Sequence, residues 1–347
     1  MKIIFFFSTL LLSSVFASDV GFYSPLDNKI PTEIQQASTS VLEIRTAFIQ
    51  DFQSFSDLVI VDITKPSDRN DVYTKIDSIG SPYDEKDKKI MKAFVKRCER
   101  RNQLKKCFFP TGLNSGSAFV LGREGTLWTN AHVIEKMLNT KAQTEGTELT
   151  SLFTEESSMP IFLFNKEGEL IFDGLQEEIS FSVLPDNTLL NRYSDSFYSI
   201  DSDYVGINLS KKVAEPLVLS KTSPSPGDQI YVIGYPICTN CGFVQGNDDF
   251  DRGNQLNAKH CELQITQGEI LDKDTWGDLA NVNNALVNAI NSNSFLPSTA
   301  DSNYGMSGGP ILNSSGGVIG IHVGGKTIVE DDYYSRFSRG VIPKDFK

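Results

Sequence analysis

A succession of short strand candidates separated by turn residues is the feature that most constrains the fold of this chain. From Gly116 onward, short stretches of apolar or alternating residues are separated at close intervals by Gly, Pro, Asn and Asp. The strand candidates lie at residues 117–121, 161–164, 169–172, 204–209, 229–234, 262–265, 310–312 and 318–322. Many short strands with such punctuation are typical of β-sandwiches and β-barrels. The sequence therefore predicts an all-β fold.

The region before Gly116 has a mixed pattern. Residues 38–46 and 58–63 have the composition and alternation of two further strands. Residues 84–106 instead follow a helical period, and a second, short helix is predicted at 279–290. One face of the 84–106 helix would carry the apolar residues Ile90, Met91, Phe94, Val95 and Cys98. That face is predicted to pack into the core.

The opposite face of the 84–106 helix is basic. It carries Lys88, Lys89, Lys92, Lys96, Arg97, Arg100, Arg101, Lys105 and Lys106. Such a face could meet an anionic partner or a membrane surface. In a chain with a formal net charge of −12, a solvated face balanced by acidic neighbours is the simpler interpretation. The overall acidic charge also argues against general binding of nucleic acid or of anionic lipid.

The first residues predict export. Lys2 precedes an apolar run at residues 3–12, which is followed by the small-residue end Val15-Phe16-Ala17. This layout is typical of a secretory signal peptide, and cleavage is expected after Ala17. An N-terminal membrane anchor is the alternative, although the run is short for a membrane span. We therefore expect a mature protein of residues 18–347 in the periplasm or outside the cell, with no membrane span.

The cysteine content is compatible with export. The five cysteines are Cys98, Cys107, Cys238, Cys241 and Cys261. Disulfide bonds are plausible in an exported protein, and an odd count leaves at least one thiol unpaired within the chain. A local bridge between Cys98 and Cys107 is preferred, with a second bridge from Cys261 to Cys238 or Cys241. Sequence alone does not determine this connectivity.

Two other interpretations of the cysteines are disfavoured. Cys238 and Cys241 with His260 and Cys261 would supply four zinc ligands, but the last two are adjacent rather than spaced as in common zinc pairs. A redox role for the Cys-x-x-Cys pair is also disfavoured. The pair follows a strand end, whereas redox motifs open a helix of a βαβ unit.

Three short motifs carry residues that together could perform catalysis. The first, at residues 129–133 (TNAHV), follows a strand pair; the second, at 203–209 (DYVGINL), is an aspartate opening a strand; the third, at 305–310, reads GMSGGP. A serine hydroxyl is a weak nucleophile unless an imidazole takes its proton, and the imidazole needs a carboxylate to hold its tautomer. Ser307, His132 and Asp203 are the candidates for these three roles.

In this order, the motifs resemble those of the trypsin-like (chymotrypsin-fold) serine peptidases, specifically their bacterial exported branch. The resemblance is dense from Gly116 to Gly325 and weaker back to the strand SVLEIR. It implies two six-stranded antiparallel β-barrels, with residues 64–112 inserted in the first barrel. It also implies a serine endopeptidase whose oxyanion hole is formed by the N–H groups of Gly305 and Ser307. Protein or peptide substrates are expected, and no metal or organic cofactor is required.

The chain departs from the animal members of that family. It has no Ile-Val-Gly-Gly-type N-terminus, and Met306 stands where animal trypsins have the aspartate that pairs with it. Activation through a newly formed N-terminus is therefore not expected. Residues 136–160, 239–260 and 272–296 resemble insertions into barrel loops. Such loops flank the cleft in this fold, so we expect narrow substrate choice.

Two residues make opposite predictions about primary specificity. Asp301 lies six residues before Ser307, where the family's trypsins select Arg or Lys. Ser302 and the segment 320–325 (GIHVGG), with His322, Gly324 and Gly325, are instead similar to staphylococcal and streptomycete glutamyl endopeptidases, whose histidine receives a substrate glutamate. The strand pattern fixes the register of 320–325, whereas an insertion precedes Asp301. The sequence thus favours cleavage after Glu, with cleavage after Arg or Lys as the alternative.

A binding protein that has lost catalysis is the rival from a different functional class. A pseudoprotease on this fold would be expected to have a broken triad. His132, Asp203 and Ser307 are all present, so the sequence favours the enzyme.

Overall fold

The structure is a computed structural model, and it describes residues 22–23, 29–48, 65–80, 83–100, 112–144, 159–183, 203–238, 259–260, 262–272, 295–302, 304–330, 333–344 and 346. The predicted signal peptide, strand 58–63 and helix 279–290 lie outside these ranges. So do residues 145–158, 239–258 and 273–294 of the three predicted loop insertions.

The described elements are four helices and sixteen strands. The helices are α1 (Thr32–Ser38), α2 (Pro66–Ser78), α3 (Glu85–Arg100) and α4 (Ala131–Thr144). The first eight strands are β1 (Phe22–Tyr23), β2 (Val41–Phe48), β3 (Gly112–Leu121), β4 (Thr126–Thr129), β5 (Ile161–Phe164), β6 (Leu170–Asp173), β7 (Ile179–Val183) and β8 (Val205–Leu209). The others are β9 (Gln229–Gly234), β10 (Ile237–Cys238), β11 (Lys259–His260), β12 (Gln264–Glu269), β13 (Phe295–Ser298), β14 (Pro310–Asn313), β15 (Val318–Glu330) and β16 (Tyr333–Val341).

The strands form two curled antiparallel sheets. The first has the order β6-β5-β2-β3-β4-β8-β7 and the second the order β1-β12-β9-β14-β15-β16-β13. A separate two-stranded pair joins β10 to β11. The prediction of an all-β, two-barrel trypsin-like fold is confirmed. Each sheet has seven strands in the described part of the chain, where six were expected; in the second sheet β1 is a two-residue strand on the edge of β12.

The two sheets share a buried core at their junction. Phe119 and Trp128 from the first sheet belong to one apolar cluster with Tyr231, Ile233 and Leu312 from the second. Burial of this apolar surface from both sides fixes the position of one sheet against the other. The ends of β4 and β14, which carry two of the predicted catalytic motifs, meet beside this junction.

The helical insertion lies between two strands that pair with each other. β2 and β3 pair from Val41↔Phe119 to Phe48↔Gly112, and α2 and α3 lie between them in sequence. The apolar face predicted for the second helix is buried, and Phe94 packs on Phe162. One expectation was wrong: Arg97, assigned to the solvated basic face, is buried with 3% of its surface exposed.

A buried ion network joins α3 to the first sheet. The side chain of Arg45, on β2, is 1% exposed and pairs with Glu43, Asp84 and Asp87 at 2.5–2.6 Å. Lys86 forms a further ion pair with Glu43. Because three carboxylates surround the guanidinium, the positive charge of Arg45 is paired inside the protein.

Several elements around the core were not predicted from the sequence. Residues 38–46 were predicted as one strand, but α1 ends at Ser38 and β2 begins at Val41. Ile34 and Ala37 have the spacing of a helix face and are buried there. The strands β7, β13 and β16 were not predicted. Among the described residues, no helix is long and apolar enough to cross a membrane.

The cysteine predictions remain untested. Cys98 is buried on α3, and its expected partner Cys107 lies outside the described residues. Cys238 lies on β10, where it pairs through the backbone with Lys259. Cys241 and Cys261 also lie outside the description. The disulfide and zinc interpretations therefore stay predictions.

Candidate active site

The predicted base, His132, is held by the predicted carboxylate through two contacts. Its ring Nδ1 lies 2.7 Å from Oδ2 of Asp203, and its main-chain N–H donates to Oδ1 of the same residue at 3.0 Å. Asp203 is 1% exposed. A carboxylate at Nδ1 favours the tautomer with the proton on that nitrogen, which leaves Nε2 as the basic nitrogen. The pair thus has the geometry of a positioned general base.

Local structure explains why these two residues meet. His132 lies at the start of α4, immediately after β4, and Asp203 lies just before β8, the neighbour of β4 in the first sheet. Asn130 joins the two segments, since its Nδ2 donates to the main-chain oxygen of Asp203 at 2.6 Å. The helix α4 was missed by the sequence analysis, which placed a loop insertion from residue 136.

The electrostatic surroundings of His132 favour a proton on the ring. Burial lowers the pKa of His132, but the charge of Asp203 and the hydrogen bond to it outweigh burial, so the pKa lies above its ordinary value. Arg339 opposes this shift and Glu135 adds to it. An imidazole with a raised pKa is a stronger base toward a serine hydroxyl.

The predicted nucleophile, Ser307, lies in a tight loop held between β3 and β15. Its main-chain oxygen accepts a hydrogen bond from the N–H of Ser117 at 2.8 Å. The next residue, Gly308, donates to the main-chain oxygen of His322 at 2.8 Å and has a φ of +88°. A Cβ on Gly308 would lie 2.1 Å from the oxygen of Ser117, so both the turn and the close approach require glycine.

The hydroxyl of Ser307 is turned toward the second sheet in this structure. It donates to the main-chain oxygen of Val323 on β15 at 3.1 Å. This bond stands in place of one to His132. A rotation about the Cα–Cβ bond would therefore precede attack on a substrate, as is common for catalytic hydrogen bonds in unliganded sites.

The predicted oxyanion donors are available for a ligand. Gly305 has a φ of +86°, and the carbonyl before it, of Tyr304, accepts from the N–H of Ile237 at 2.6 Å. Within the described residues, the N–H groups of Gly305 and Ser307 donate to no protein acceptor. Unused main-chain donors beside a nucleophile are what binding of a developing oxyanion needs.

The predicted specificity residues lie on both sides of this loop. Nε2 of His322 lies 2.8 Å from Oγ of Ser302, whose N–H donates to Oδ1 of Asp301 at 2.8 Å. The main-chain oxygen of Asp301 accepts from Thr266 at 2.8 Å. Gly324 and Gly325 lie farther along β15, and Gly325 is exposed. The structure thus brings Ser302 and His322 into contact.

His322 is neutral in this environment. It is fully buried, and its Nδ1 has no hydrogen-bond partner among the described residues. Burial, together with the positive charge of Arg339 and the neighbouring His132, lowers the pKa of His322 to about 3. A substrate carboxylate arriving here at neutral pH would meet an uncharged imidazole.

One charged residue at the site was missed by the sequence analysis. Arg339, on β16, lies directly across from Gly324 on β15. Its Nε is 4.0 Å from the position that a Cβ on Gly324 would occupy. No motif marks this arginine in the sequence. The signal that could have found it is the pairing of the last strand with the 320–325 segment.

A comparison with protein families agrees with the fold. A family model described as a trypsin-like peptidase domain matches residues 116–321, and no curated protein matches the chain. Among solved structures, the active form of the M. tuberculosis protease Rv3671c is 13% identical, with 90% of this chain and 79% of that chain covered and a TM-score of 0.38. An inactive mutant of the same protease is 12% identical, with 93% of this chain and 91% of that chain covered and a TM-score of 0.39.

A third similar structure is the HtrA-type protease AlgW with a decapeptide, which is 16% identical, with 90% of this chain and 63% of that chain covered and a TM-score of 0.39. Similarities with TM-scores this low do not bear on substrate or regulation. The family model, however, spans more than half of the 347 residues. On that match, the chain belongs to the trypsin-like peptidase family of serine proteases.

Proposed function

We propose that this protein is an exported serine endopeptidase that cleaves peptide bonds through His132, Asp203 and Ser307. The observation that carries the proposal is the double contact of His132 with one buried carboxylate, at 2.7 and 3.0 Å. The Ser307 loop lies next to the strand end that is followed by His132. Family membership makes a peptide the substrate. Export is supported by the N-terminal sequence alone.

Acylation follows from the roles of these groups. Oγ of Ser307 attacks the carbonyl carbon of the scissile bond while Nε2 of His132 takes its proton. Asp203 stabilises the imidazolium that results. The carbonyl oxygen becomes an oxyanion, which the N–H groups of Gly305 and Ser307 would bind. The C–N bond then breaks, and His132 returns the proton to the leaving amine, which leaves an ester on Ser307.

Deacylation repeats the same steps with water. His132 takes a proton from a water molecule, the resulting hydroxide attacks the ester carbonyl, and the proton is delivered to Oγ of Ser307 as the C–O bond breaks. The products are two shorter peptides, and the enzyme is regenerated. No step uses a metal or an organic cofactor.

A preference for Glu before the cut is part of the proposal. Support comes from the 320–325 segment of β15. This segment includes Val323, whose main-chain oxygen accepts the Ser307 hydroxyl. The alternative, cleavage after Arg or Lys, would depend on Asp301, one carboxylate oxygen of which accepts the N–H of Ser302 within its own turn.

The test is hydrolysis of casein, an unstructured protein, by wild type and by Ser307→Ala. We expect wild type to cut, and the variant to lose about 10⁶-fold in kcat, because no other hydroxyl occupies the loop position. Mass spectrometry of the products identifies the residue before each cut. Cuts after Arg or Lys would overturn the proposed preference.

A serine-directed fluorophosphonate probe is the control for activity. Labelling of wild type but not of Ser307→Ala is expected. Absence of both hydrolysis and labelling in wild type would contradict the proposal and favour a binding protein on a protease fold.

A further inference from the structure

The site contains a half-buried cation, Arg339, that the proposed chemistry does not use. The Nε atom of Arg339 is buried and makes no hydrogen bond, and within the described residues the guanidinium takes part in no ion pair. Although Nε is enclosed, the residue as a whole is half-buried, so a group from outside can still reach it. Partial loss of water makes pairing with an anion favourable, and this position therefore suits an anionic group of a ligand.

The position of Arg339 places its side chain over Gly324, on the strand that the Ser307 hydroxyl contacts. β15 and β16 are antiparallel neighbours, and Gly324 lies directly opposite Arg339. Directly opposite residues project on the same face of a sheet. Gly324 has no side chain, so the guanidinium extends over the space above it, and Arg339 Nε lies 4.0 Å from the position of a Cβ built there.

The same strand connects this space to Ser307. Val323, the residue before Gly324, accepts the Ser307 hydroxyl through its main-chain oxygen. His322, one residue further back, contacts Ser302 on the segment before the nucleophile. The space over Gly324 is therefore bordered by the strand that the Ser307 hydroxyl contacts, and a substrate side chain next to the scissile bond would reach it.

The other groups near Arg339 do not neutralise it by contact. Asp203 raises the pKa of Arg339, but burial lowers it by more, so the net shift is downward. Both oxygens of Asp203 are already bound to His132. The charge of Arg339 in turn lowers the pKa of His132 and of His322. Since His322 is neutral, Arg339 is the cation that the described residues of this part of the cleft present.

We infer that Arg339 receives the side-chain carboxylate of a Glu or Asp residue that precedes the scissile bond. A guanidinium offers two parallel donors that match the two oxygens of a carboxylate. The inference rests on the proposed peptidase function and assigns its specificity to a residue on the last strand. His322 then shapes the site as a neutral hydrogen-bonding group.

The first experiment compares peptides that differ at one position. Four peptides carry Glu, Gln, Asp or Asn before the same scissile bond, so that each acid has a neutral partner of nearly the same shape. Of the Glu and Asp peptides, the one that wild type cleaves faster should exceed its matching amide peptide by about 10²-fold in kcat/KM. Arg339→Met should bring that ratio close to one, because the acid peptides lose the cation that receives them. Arg339→Lys should keep part of the ratio.

Two controls separate specificity from folding and from charge. Lys221→Met removes a positive charge at an exposed position between β8 and β9, and it should keep the wild-type ratio. Fluorophosphonate labelling should be equal in wild type and Lys221→Met, and labelling taken to completion counts the folded active sites of Arg339→Met, by which its kcat/KM values are divided. An equal loss for acid and amide peptides in Arg339→Met would overturn the inference, because it would make the arginine a long-range counter-charge of Asp203.

The second experiment removes catalysis from the measurement. In a Ser307→Ala background, calorimetry should show tighter binding of the Glu or Asp peptide than of its amide, and Arg339→Met should abolish the difference. Equal binding of acid and amide by the Arg339 protein overturns the inference even if wild type proves to be a protease. Failure of wild type to label or cut, with discrimination intact in the binding assay, overturns the proposed function and leaves Arg339 as a carboxylate receptor.

Discussion

Two arginines, the buried Arg45 and the half-buried Arg339, have different partners for their charge. The side chain of Arg45 is 1% exposed, and three carboxylates lie within 2.6 Å of it. The guanidinium of Arg339 has a buried Nε and no hydrogen bond or ion pair within the described part of the chain. The first charge is neutralised by the fold, and the second is not. The difference indicates which charge has a structural role and which is kept for a ligand.

The pKa values of the two guanidinium groups shift in opposite directions, because only Arg45 has carboxylates in contact with it. Burial lowers the pKa of Arg45, but the carboxylates of Glu43, Asp84 and Asp87 outweigh burial and raise it above its ordinary value. For Arg339, burial dominates and the pKa falls, with Asp203 opposing only in part. Both guanidinium groups remain charged at neutral pH. Only the second would gain stability when a carboxylate binds.

The largest expected effect that tests this division between structural and functional charges is a loss of catalysis. Asp203→Asn removes the charge that stabilises the His132 imidazolium and disturbs its tautomer. We expect kcat to fall by about 10⁴-fold, measured on the acid peptide under saturating conditions. The unfolding temperature should change little beside this loss.

The matched control is another buried carboxylate. Asp87→Asn alters the Arg45 network, where the pKa of Asp87 is raised by burial although Arg45 opposes the shift. It should lower the unfolding temperature and leave kcat per labelled active site unchanged. If Asp87→Asn lowered kcat as strongly as Asp203→Asn, the network would take part in catalysis and the division would be wrong.

The next effect is on stability and has opposite expectations for the two arginines. Arg45→Met leaves Asp87 buried without its cation and Glu43 with Lys86 alone, and should cost about 3–5 kcal/mol of unfolding free energy. Arg339→Met removes an unpaired charge, so its unfolding free energy should equal or exceed that of wild type. Urea denaturation of both variants measures the difference. A large loss in Arg339→Met would show that a protein group pairs with it.

Sequence reasoning located the motifs better than their surroundings. Residues 161–164 and 229–234 were predicted as strands and form β5 and β9 with the same limits, because alternation and flanking turns specify a strand locally. His132, Asp203 and Ser307 were found because each lies in a recognisable motif beside such a strand. The contact between His132 and Asp203 joins residues 71 positions apart.

Arg339 shows why the rest was not predictable. Its role depends on the register of β15 against β16, which shifts between His322 and Gly324. A one-residue change of register reverses the face of every side chain, and nothing local in the sequence fixes it. The buried state of Arg97 was missed for a similar reason, since a basic helix face becomes buried only through what folds over it.

The smallest effect tests the influence of Arg339 on its neighbour His322. The pKa of His322 in the folded state is lowered from 6.5 to about 3 by burial, Arg339 and His132. The neutral ring therefore contributes stability that is complete above the unfolded pKa and is lost as pH falls from 6.5 toward 3. In that window the unfolding free energy of wild type should fall by about 1.4 kcal/mol per pH unit more than that of His322→Gln. In Arg339→Met the excess loss should end at a higher pH, because one cation that depresses the pKa of His322 is gone. Urea denaturation at a series of pH values measures these slopes. Equal slopes in wild type and His322→Gln would mean that His322 is not held neutral. The histidine would then itself be a cation for a substrate carboxylate.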